Sequence, residues 1–373
     1  MARARPSDNV RFCLLGGFLG AGKTTALLRL AQRYVAAGRQ VGIITNDQAD
    51  GLVDTETYRA AGFVTEEIPS GCFCCKFDDL IAAAGRLEDG SHPDVLLAEP
   101  VGSCTDLVNT VIAPLKRLYA NRFRVAPYVA LLDPDRAWQA LSDRGPGGFS
   151  AKVTYIYKMQ QNEADVVAIN KIDTLTPERL AEVEALVRRN FPKAEIVKVS
   201  ARTGEGFDQL ADLIDREGPA GKHPIEVDYD VYAEGEARLG WVNTEVDLAG
   251  AAFDVDQVVL AVVESIRDGL ASASGSGATG EPAHVKAFLR SNGGVAVANL
   301  VSSDAAVELS RSCGSRSADG LLTVNARVEM PADALGERIV EAIEAVARRY
   351  ELKLVVRTLE VLSPPRPVPT HTS

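Results

Sequence analysis

Histidine is scarce in this chain: four residues (His92, His223, His284 and His371) are scattered through 373, and no tract accumulates. Bulk metal storage through imidazole is therefore excluded. No run of about 18 or more uninterrupted apolar residues occurs, so no membrane-spanning helix is predicted. Positive charge is in deficit, with Lys+Arg 40 against Asp+Glu 51 and a net charge of −11. A phosphate backbone or an anionic bilayer would repel such a surface, and neither a nucleic-acid nor a membrane partner is expected. Six cysteines are too few and too clustered for a disulfide scaffold. Internal repeats are absent. Hydrophobic residues at 46% and charged residues at 24% are ordinary globular values and exclude a disordered chain. The opening MARARPSDNVRF passes into strand-like sequence without the apolar core of a signal peptide, and a cytoplasmic location is the expectation.

What is present reads as two domains, 1–217 and 218–373. In the first, short β-branched runs (VRFCLLGGF, QVGIITND, FVTEEIP, DVLLAEP, VAPYVALLD, DVVAINK, EIVKVS) alternate with stretches of helical spacing. These stretches are KTTALLRLAQRYVAAG, DDLIAAAGRLE, TDLVNTVIAPLKRLYA, PERLAEVEALVRRNF and FDQLADLIDRE. Most of the strands are too uniformly apolar to leave one face wet. The pattern predicts an α/β fold, a mostly parallel sheet with helices on both faces. SDRGPGGFS (142–150) reads as a loop and REGPAGKHP (216–224) as the linker that ends the domain. The second domain predicts a smaller α+β, ferredoxin-like plan, βαββαβ with one extra strand. It carries a Gly/Ser-rich loop over 271–283 and a Pro-rich tail over 363–373, both candidates for docking a partner.

Gly17-Phe18-Leu19-Gly20-Ala21-Gly22-Lys23-Thr24 fits GxxxxGK[ST] between an apolar strand and an amphipathic helix. Gly17, Gly20, Ala21 and Gly22 can turn backbone N–H groups toward phosphate oxygens. Lys23 neutralises their charge, and Thr24, followed by Thr25, stands at the helix start where a hydroxyl ligates Mg²⁺. Glu99, closing DVLLAEP, and Asp47, closing QVGIITND, are the carboxylates expected on the Mg²⁺ side. Gly102, three residues after Glu99, lets a backbone N–H approach the terminal phosphate. Asn170-Lys171-Ile172-Asp173 follows a strand, so its side chains can meet a base at the carboxyl edge of the sheet. A carboxylate at Asp173 accepts two hydrogen bonds from guanine, a pairing that adenine cannot offer. Ser200 and Ala201, on a second loop after another strand, bring backbone to the guanine O6. Together these loops favour GTP over ATP.

Cys72, Cys74 and Cys75 in GCFCC supply three soft donors on one tight loop, most of a tetrahedral shell for Zn²⁺ or Cu⁺. A Cys72/Cys75 redox pair and plain packing are the competing readings. Cys104, Glu66, Glu67 and His92 are candidates for a fourth ligand, and Cys13 and Cys313 read as packing residues.

GGFLGAGKTT, ITND, GCFCC, ExxG, NKID and VSARTGEG together resemble the CobW-type GTPases, relatives of the nickel-chaperone GTPases of urease and hydrogenase maturation. The resemblance runs from Val10 to about Glu217. It implies a GTPase that carries Zn²⁺ or Co²⁺ to a client metalloenzyme or a cofactor-assembly protein, with room for a homodimer. By the same resemblance Lys23, Thr24, Asp47 and Glu99 handle phosphate and Mg²⁺, Asn170, Lys171 and Asp173 read the base, and Cys72, Cys74 and Cys75 hold the metal. The alternatives are a client-activating chaperone that carries no metal, a thiol redox sensor, and an ATP-dependent kinase. The segment after the strand reads EPVGSCTD rather than the family's usual short apolar-acidic stretch, and the family's histidine-rich stretch is missing.

Overall fold

A computed structural model describes residues 9–46, 53–69, 71–142, 148–271 and 279–372. They fall into two compact units: Met1–Gly145 with Tyr155–Tyr229 and Pro367–Ser373, and Pro146–Thr154 with Asp230–Arg366.

In the first unit β1 (Val10–Gly17), α1 (Lys23–Ala36), β2 (Val41–Asn46), α2 (Val53–Ala60), β3 (Val64–Ile68), α3 (Phe77–Ser91) and β4 (Val95–Glu99) follow in turn. A π-helical turn (Val108–Ile112) leads into α4 (Ala113–Leu118), β5 (Phe123–Val125), β6 (Val129–Leu132), α5 (Pro134–Leu141) and α6 (Ala151–Asn162). Then come β7 (Val166–Ile169), α7 (Pro177–Asn190), β8 (Glu195–Lys198) and α8 (Phe207–Asp215). The strands are parallel and ordered β3-β2-β4-β1-β6-β7-β8, with β5 also on β1. Ile43 and Leu97 pair in register and share a core with Leu27 and Leu30 of α1 and Leu210 of α8. The adjacent pair, Gly42 and Leu96, points the other way. There a Cβ on Gly42 would stand 3.2 Å from Leu87 of α3, so helices cover both faces. This double covering is why the strands read as continuous apolar runs.

Differences from the expected elements have local causes. The helix expected over 105–120 opens with a π turn, because Pro114 has no N–H to give the Thr110 carbonyl and the ladder re-registers around it. Helices α2 and α5 and the three-residue β5 are too short, and α6 too weakly periodic, to be read beforehand. Residues 143–147 of the expected loop lie outside the described residues, as do 272–278 of the Gly/Ser-rich segment.

The second unit holds β9 (Leu239–Asp254), α10 (Val255–Ala271), β10 (Pro282–Ser291), β11 (Gly294–Leu300), β12 (Glu308–Arg311), β13 (Arg316–Glu329), α11 (Ala332–Arg349) and β14 (Lys353–Leu362); α9 (Tyr229–Arg238) leads into it. The sheet order is β12-β11-β10-β13-β9-β14 and its pairings are antiparallel. The core order β14-β9-β13-β10 interleaves two split βαβ units, which is the ferredoxin-like plan. Both helices pack on one face, through Val259, Val263, Ile339 and Ile343 against Val285, Val324 and Val246. β11 and β12 extend the edge. Only one extra strand was expected, because ELSR in β12 is short, polar and mostly exposed, with no alternating apolar signal.

Candidate functional site

The turn between β1 and α1 is dictated by its glycines. Gly22 has φ 89, and a Cβ there would lie 2.5 Å from Asn170 Nδ2, so a side chain would meet both backbone strain and a clash. Gly22 is also the N-cap of α1, and no side chain caps that helix start. Such an end, with N–H groups directed outward and a positive dipole, can take a phosphate. Lys23, the first residue of α1, is 7% exposed, and its Nζ donates to the Phe18 carbonyl across the loop at 3.4 Å.

Three carboxyl ends of the sheet converge beside this turn. Glu99, last in β4, accepts from Thr24 Oγ1 at 3.1 Å and from Tyr58 Oη at 2.6 Å. Tyr58 of α2 is fully buried, and its hydroxyl also lies 3.3 Å from the Thr24 carbonyl. The Thr24 hydroxyl and the Glu99 carboxylate are hard oxygen donors of the kind Mg²⁺ takes, directly or through water. Gly102 stands over the lysine: a Cβ there would be 2.9 Å from Lys23 Nζ and 2.6 Å from Leu19 Cδ2. Asp47 lies outside the described residues. Its neighbour Asn46, last in β2, donates from Nδ2 to the Ile68 carbonyl at 2.9 Å and to the Gly71 carbonyl, tying the strand end to the cysteine loop.

On the other side of the turn, buried Asn170 donates from Nδ2 to the Ala21 carbonyl at 2.8 Å and accepts from the Ala201 N–H at 2.9 Å. One amide thus joins the phosphate loop to the loops after β7 and β8. Lys171, at φ 59, pairs its Nζ with Asp133 at 2.7 Å. Burial pushes the Asp133 carboxyl up, but the Lys171 ammonium together with the Arg136 N–H and guanidinium holds the group below its usual range. Asp173 accepts from Ser200 Oγ at 2.6 Å and pairs with Arg202. Its modest burial raises the carboxyl, and these two partners together bring it below its ordinary value. Arg29 of α1 donates to the carbonyls of Ala201 at 3.2 Å and Arg202 at 2.6 Å. Thr25 is exposed on α1.

The cysteine loop closes on itself, the N–H groups of Cys75 and Lys76 donating to the Cys72 carbonyl at 3.0 and 2.9 Å. This turn brings the Sγ atoms of Cys72 and Cys74 to 2.7 Å, of Cys72 and Cys75 to 3.3 Å, and of Cys74 and Cys75 to 3.7 Å. Sulfurs gathered so closely can hold a soft or borderline cation. Hydrogen bonding from Cys104 first, then from Cys74 and Cys75, holds the Cys72 thiol well below its ordinary value against the effect of burial. Hydrogen bonding with Cys104 first, then with Cys72 and Cys75, pushes Cys74 up, and burial adds to this. Cys75 is pushed up to about 11, chiefly by its hydrogen bond to Cys72. Among the other residues considered for a fourth ligand, Glu66 pairs with Arg86 at 2.8 Å. Cys13 and Cys313 lie elsewhere, in β1 and in the second unit.

The chain's last residues pack on this loop. Val368 N–H points at Cys75 Sγ at 3.3 Å, the Thr370 N–H donates to the Cys74 carbonyl at 2.8 Å, and Thr370 Oγ1 donates to the Cys75 carbonyl at 3.1 Å. The His371 ring meets Phe77 edge-on at 4.8 Å. Sequence reading missed Tyr58, Arg29 and Asp133, and it singled out the 363–373 tail only as a docking candidate and not as a neighbour of the cysteines, since each acts through a partner distant along the chain. Asn46 was legible only as part of the ITND run.

A parallel sheet with a glycine turn between β1 and α1, and polar side chains at the strand ends around it, defines a P-loop nucleotide-binding domain. Residues 11–198 match the CobW/HypB/UreG nucleotide-binding domain, and the chain belongs to that family. It is 28% identical over 169 residues to the zinc chaperone YeiR of Escherichia coli K12, which covers 44% of this chain and 47% of that one. To the zinc chaperone CobW of Pseudomonas aeruginosa it is 28% identical over 223 residues, 52% of this chain and 56% of the relative. The chain thus spans about half the length of these curated relatives. The crystal structure of the Zn(II)-bound YjiA GTPase from E. coli aligns over 90% of this chain and 99% of its own, at 18% identity and a TM-score of 0.38. Among the described residues no helix is long and apolar enough to cross a membrane.

Proposed function

We propose that the protein is a GTP-hydrolysing metallochaperone: it binds a transition metal, Zn²⁺ or a Co²⁺-like ion, at Cys72, Cys74 and Cys75 and delivers it to a client metalloenzyme or cofactor-assembly protein of the cytoplasm. The observation that carries this reading is the gathering of three cysteine sulfurs within 4.8 Å of one another. The loop that holds them is tied through Asn46 to a strand that ends beside the nucleotide turn.

In this reading Gly17, Gly20, Ala21, Gly22 and Thr25 frame the phosphates, and Lys23 turns from the Phe18 carbonyl to their charge. Mg²⁺, when bound, would neutralise phosphate charge. Thr24, Glu99 and Asp47 would hold it, with Tyr58 fixing the Glu99 carboxylate. Asp173 exchanges Arg202 for the guanine edge, while Asn170 and Lys171 keep the Asp173 and Ser200–Ala201 loops in place. Gly102 brings its N–H to the terminal phosphate. The oxygen donors suit a hard cation and the thiols a softer cargo, so the two ions are sorted by ligand chemistry. Closure of the cysteine loop with GTP and its release on hydrolysis would couple the two sites, and linkage makes that coupling equal in both directions.

The test is metal affinity of the reduced protein by chelator competition, with and without Mg²⁺ and a non-hydrolysable GTP analogue, beside Cys72→Ser/Cys74→Ser/Cys75→Ser. Tight binding that strengthens with the analogue and disappears in the variant is the expected result. No metal binding refutes the reading in favour of a client chaperone that carries no metal; binding indifferent to nucleotide refutes the GTP-gated carrier, and binding retained in the variant refutes the cysteines as ligands. A Cys72–Cys75 disulfide that changes nucleotide affinity would refute it in favour of a redox sensor.

A further inference from the structure

Cys104 sits in the turn that follows Glu99 and Gly102, and it is 2% exposed. Its Sγ lies 4.0 Å from Cys74 Sγ. In a tetrahedral thiolate shell with metal–sulfur bonds of about 2.3 Å, neighbouring sulfurs stand ~3.8 Å apart. The Cys74–Cys75 and Cys74–Cys104 separations, 3.7 and 4.0 Å, are already close to that edge. Cys104 is not within 4.8 Å of every other sulfur, as the three loop cysteines are of one another, so a fourth vertex there requires its Sγ to move toward them.

The turn carrying Cys104 is firmly held. Its N–H donates to the Val101 carbonyl at 2.9 Å, and the buried Gln160 amide donates to the carbonyls of both Gly102 and Cys104, at 2.9 and 2.8 Å. Two residues before Cys104, Gly102 touches Lys23. One short turn therefore faces the nucleotide lysine at one end and the sulfur cluster at the other.

We propose that Cys104 is the fourth thiolate of the metal site, and that the turn from Glu99 to Cys104 is the mechanical link between nucleotide and metal. The proposal rests on the reading of Cys72, Cys74 and Cys75 as ligands. As each sulfur takes the ion, its thiol proton passes to solvent. A four-sulfur shell favours Zn²⁺, Co²⁺ or Cd²⁺ over oxygen-seeking cations. A shift of Gly102 toward a terminal phosphate moves Cys104 with it, which gives GTP a direct hold on one vertex of the metal shell.

The probe is Co²⁺, whose thiolate charge-transfer absorption scales with the number of sulfur ligands, read in wild type, Cys104→Ser, Cys104→Ala and Cys313→Ser. Each Cys104 variant is expected to keep Co²⁺ but lose about a quarter of the charge-transfer intensity per ion, and its Zn²⁺ affinity should fall by about 10-fold or more. The tightening produced by the GTP analogue should shrink toward none, while Cys313→Ser behaves as wild type. GDP affinity reports that each variant is folded. X-ray absorption of the Zn²⁺-loaded wild type is independent of any substitution: four sulfur neighbours are expected, and three with one oxygen or nitrogen overturn the proposal. Equal intensity and affinity in Cys104→Ser and wild type overturn it too, leaving the three-cysteine site standing. Wild type that binds no metal through sulfur overturns both.

Discussion

Two asparagines occupy comparable positions at strand ends, and they hold their loops differently. Asn170, after β7, uses both amide atoms, donating to Ala21 and accepting from Ala201, and is 1% exposed. Asn46, ending β2, donates to the carbonyls of Ile68 and Gly71, but among the described residues its Oδ1 has no partner. The nucleotide side is a closed network of backbone and buried amide. Among the described residues, the cysteine side is anchored by one amide, its own turn and the tail segment from Val368 to Thr370. A loop held by fewer internal bonds can rearrange at lower cost, which would suit the proposed uptake and release of an ion.

The comparison can be broken most directly at Asn170. Asn170→Ala leaves two buried backbone groups without their partner and should cost about 2–5 kcal/mol. Nucleotide affinity should fall steeply while nucleotide-free Zn²⁺ affinity stays near wild type, as measured by denaturant titration, calorimetry and chelator competition. Equal loss on both sides would show that they are one rigid body.

Glu163 supports the segment that joins the sides, accepting from the Val108 N–H at 2.8 Å and from Thr105 Oγ1 at 3.4 Å. Burial pushes its carboxyl up from 4.5 to about 8. Its folded form therefore keeps a proton that the unfolded chain releases. The stability this gives is complete below pH 4.5 and is lost as pH rises through about 8. Unfolding free energy should decline by roughly 1.4 kcal/mol per pH unit inside that window from this group alone. Denaturant melts from pH 5 to 8.5 should show the slope flatten in Glu163→Gln; an unchanged slope would assign it elsewhere.

Asn46→Ala should cost less, about 1–2 kcal/mol, because among the described residues only its Nδ2 is paired. Zn²⁺ affinity should drop about 10-fold for each 1.4 kcal/mol of lost loop order, with nucleotide affinity in metal-free protein unchanged. Nucleotide loss as large as in Asn170→Ala would contradict the division. The smallest effect belongs to the tail. Ending the chain after Arg366 removes the Val368 N–H that favours the Cys75 thiolate. Zn²⁺ affinity should weaken by only a few-fold, within about 1 kcal/mol, and competition titrations would expose a larger role.

The phosphate turn, the base loops and the cysteine triplet were legible because each is a local pattern. Glycine spacing fixes a turn, and adjacent cysteines must share a loop. The alternation of apolar runs and helical stretches foretold the parallel sheet for the same reason. Tyr58, Asp133 and Gln160 were not legible, since a tyrosine in a short helix or a glutamine in α6 looks like any other until its partner is placed. The π turn at Val108–Ile112 passed for plain helix, because its apolar spacing is helical and only the missing Pro114 N–H betrays the shift.

By itself the sequence determined most of the elements and the chemistry of the donors: glycines and a lysine of the kind that suits phosphate, carboxylates that suit a hard cation, thiols that suit a soft one. Tertiary structure alone decided which donors share a space. Parallel order put β2, β4 and β1 side by side, so that Thr24, Tyr58 and Glu99 meet although they are far apart along the chain. Cys104 came within 4.0 Å of Cys74 across thirty positions because the loops after β3 and β4 leave the same edge of the sheet. Local patterns follow from backbone and side-chain chemistry within a few residues; convergence depends on packing, which no short stretch of sequence contains.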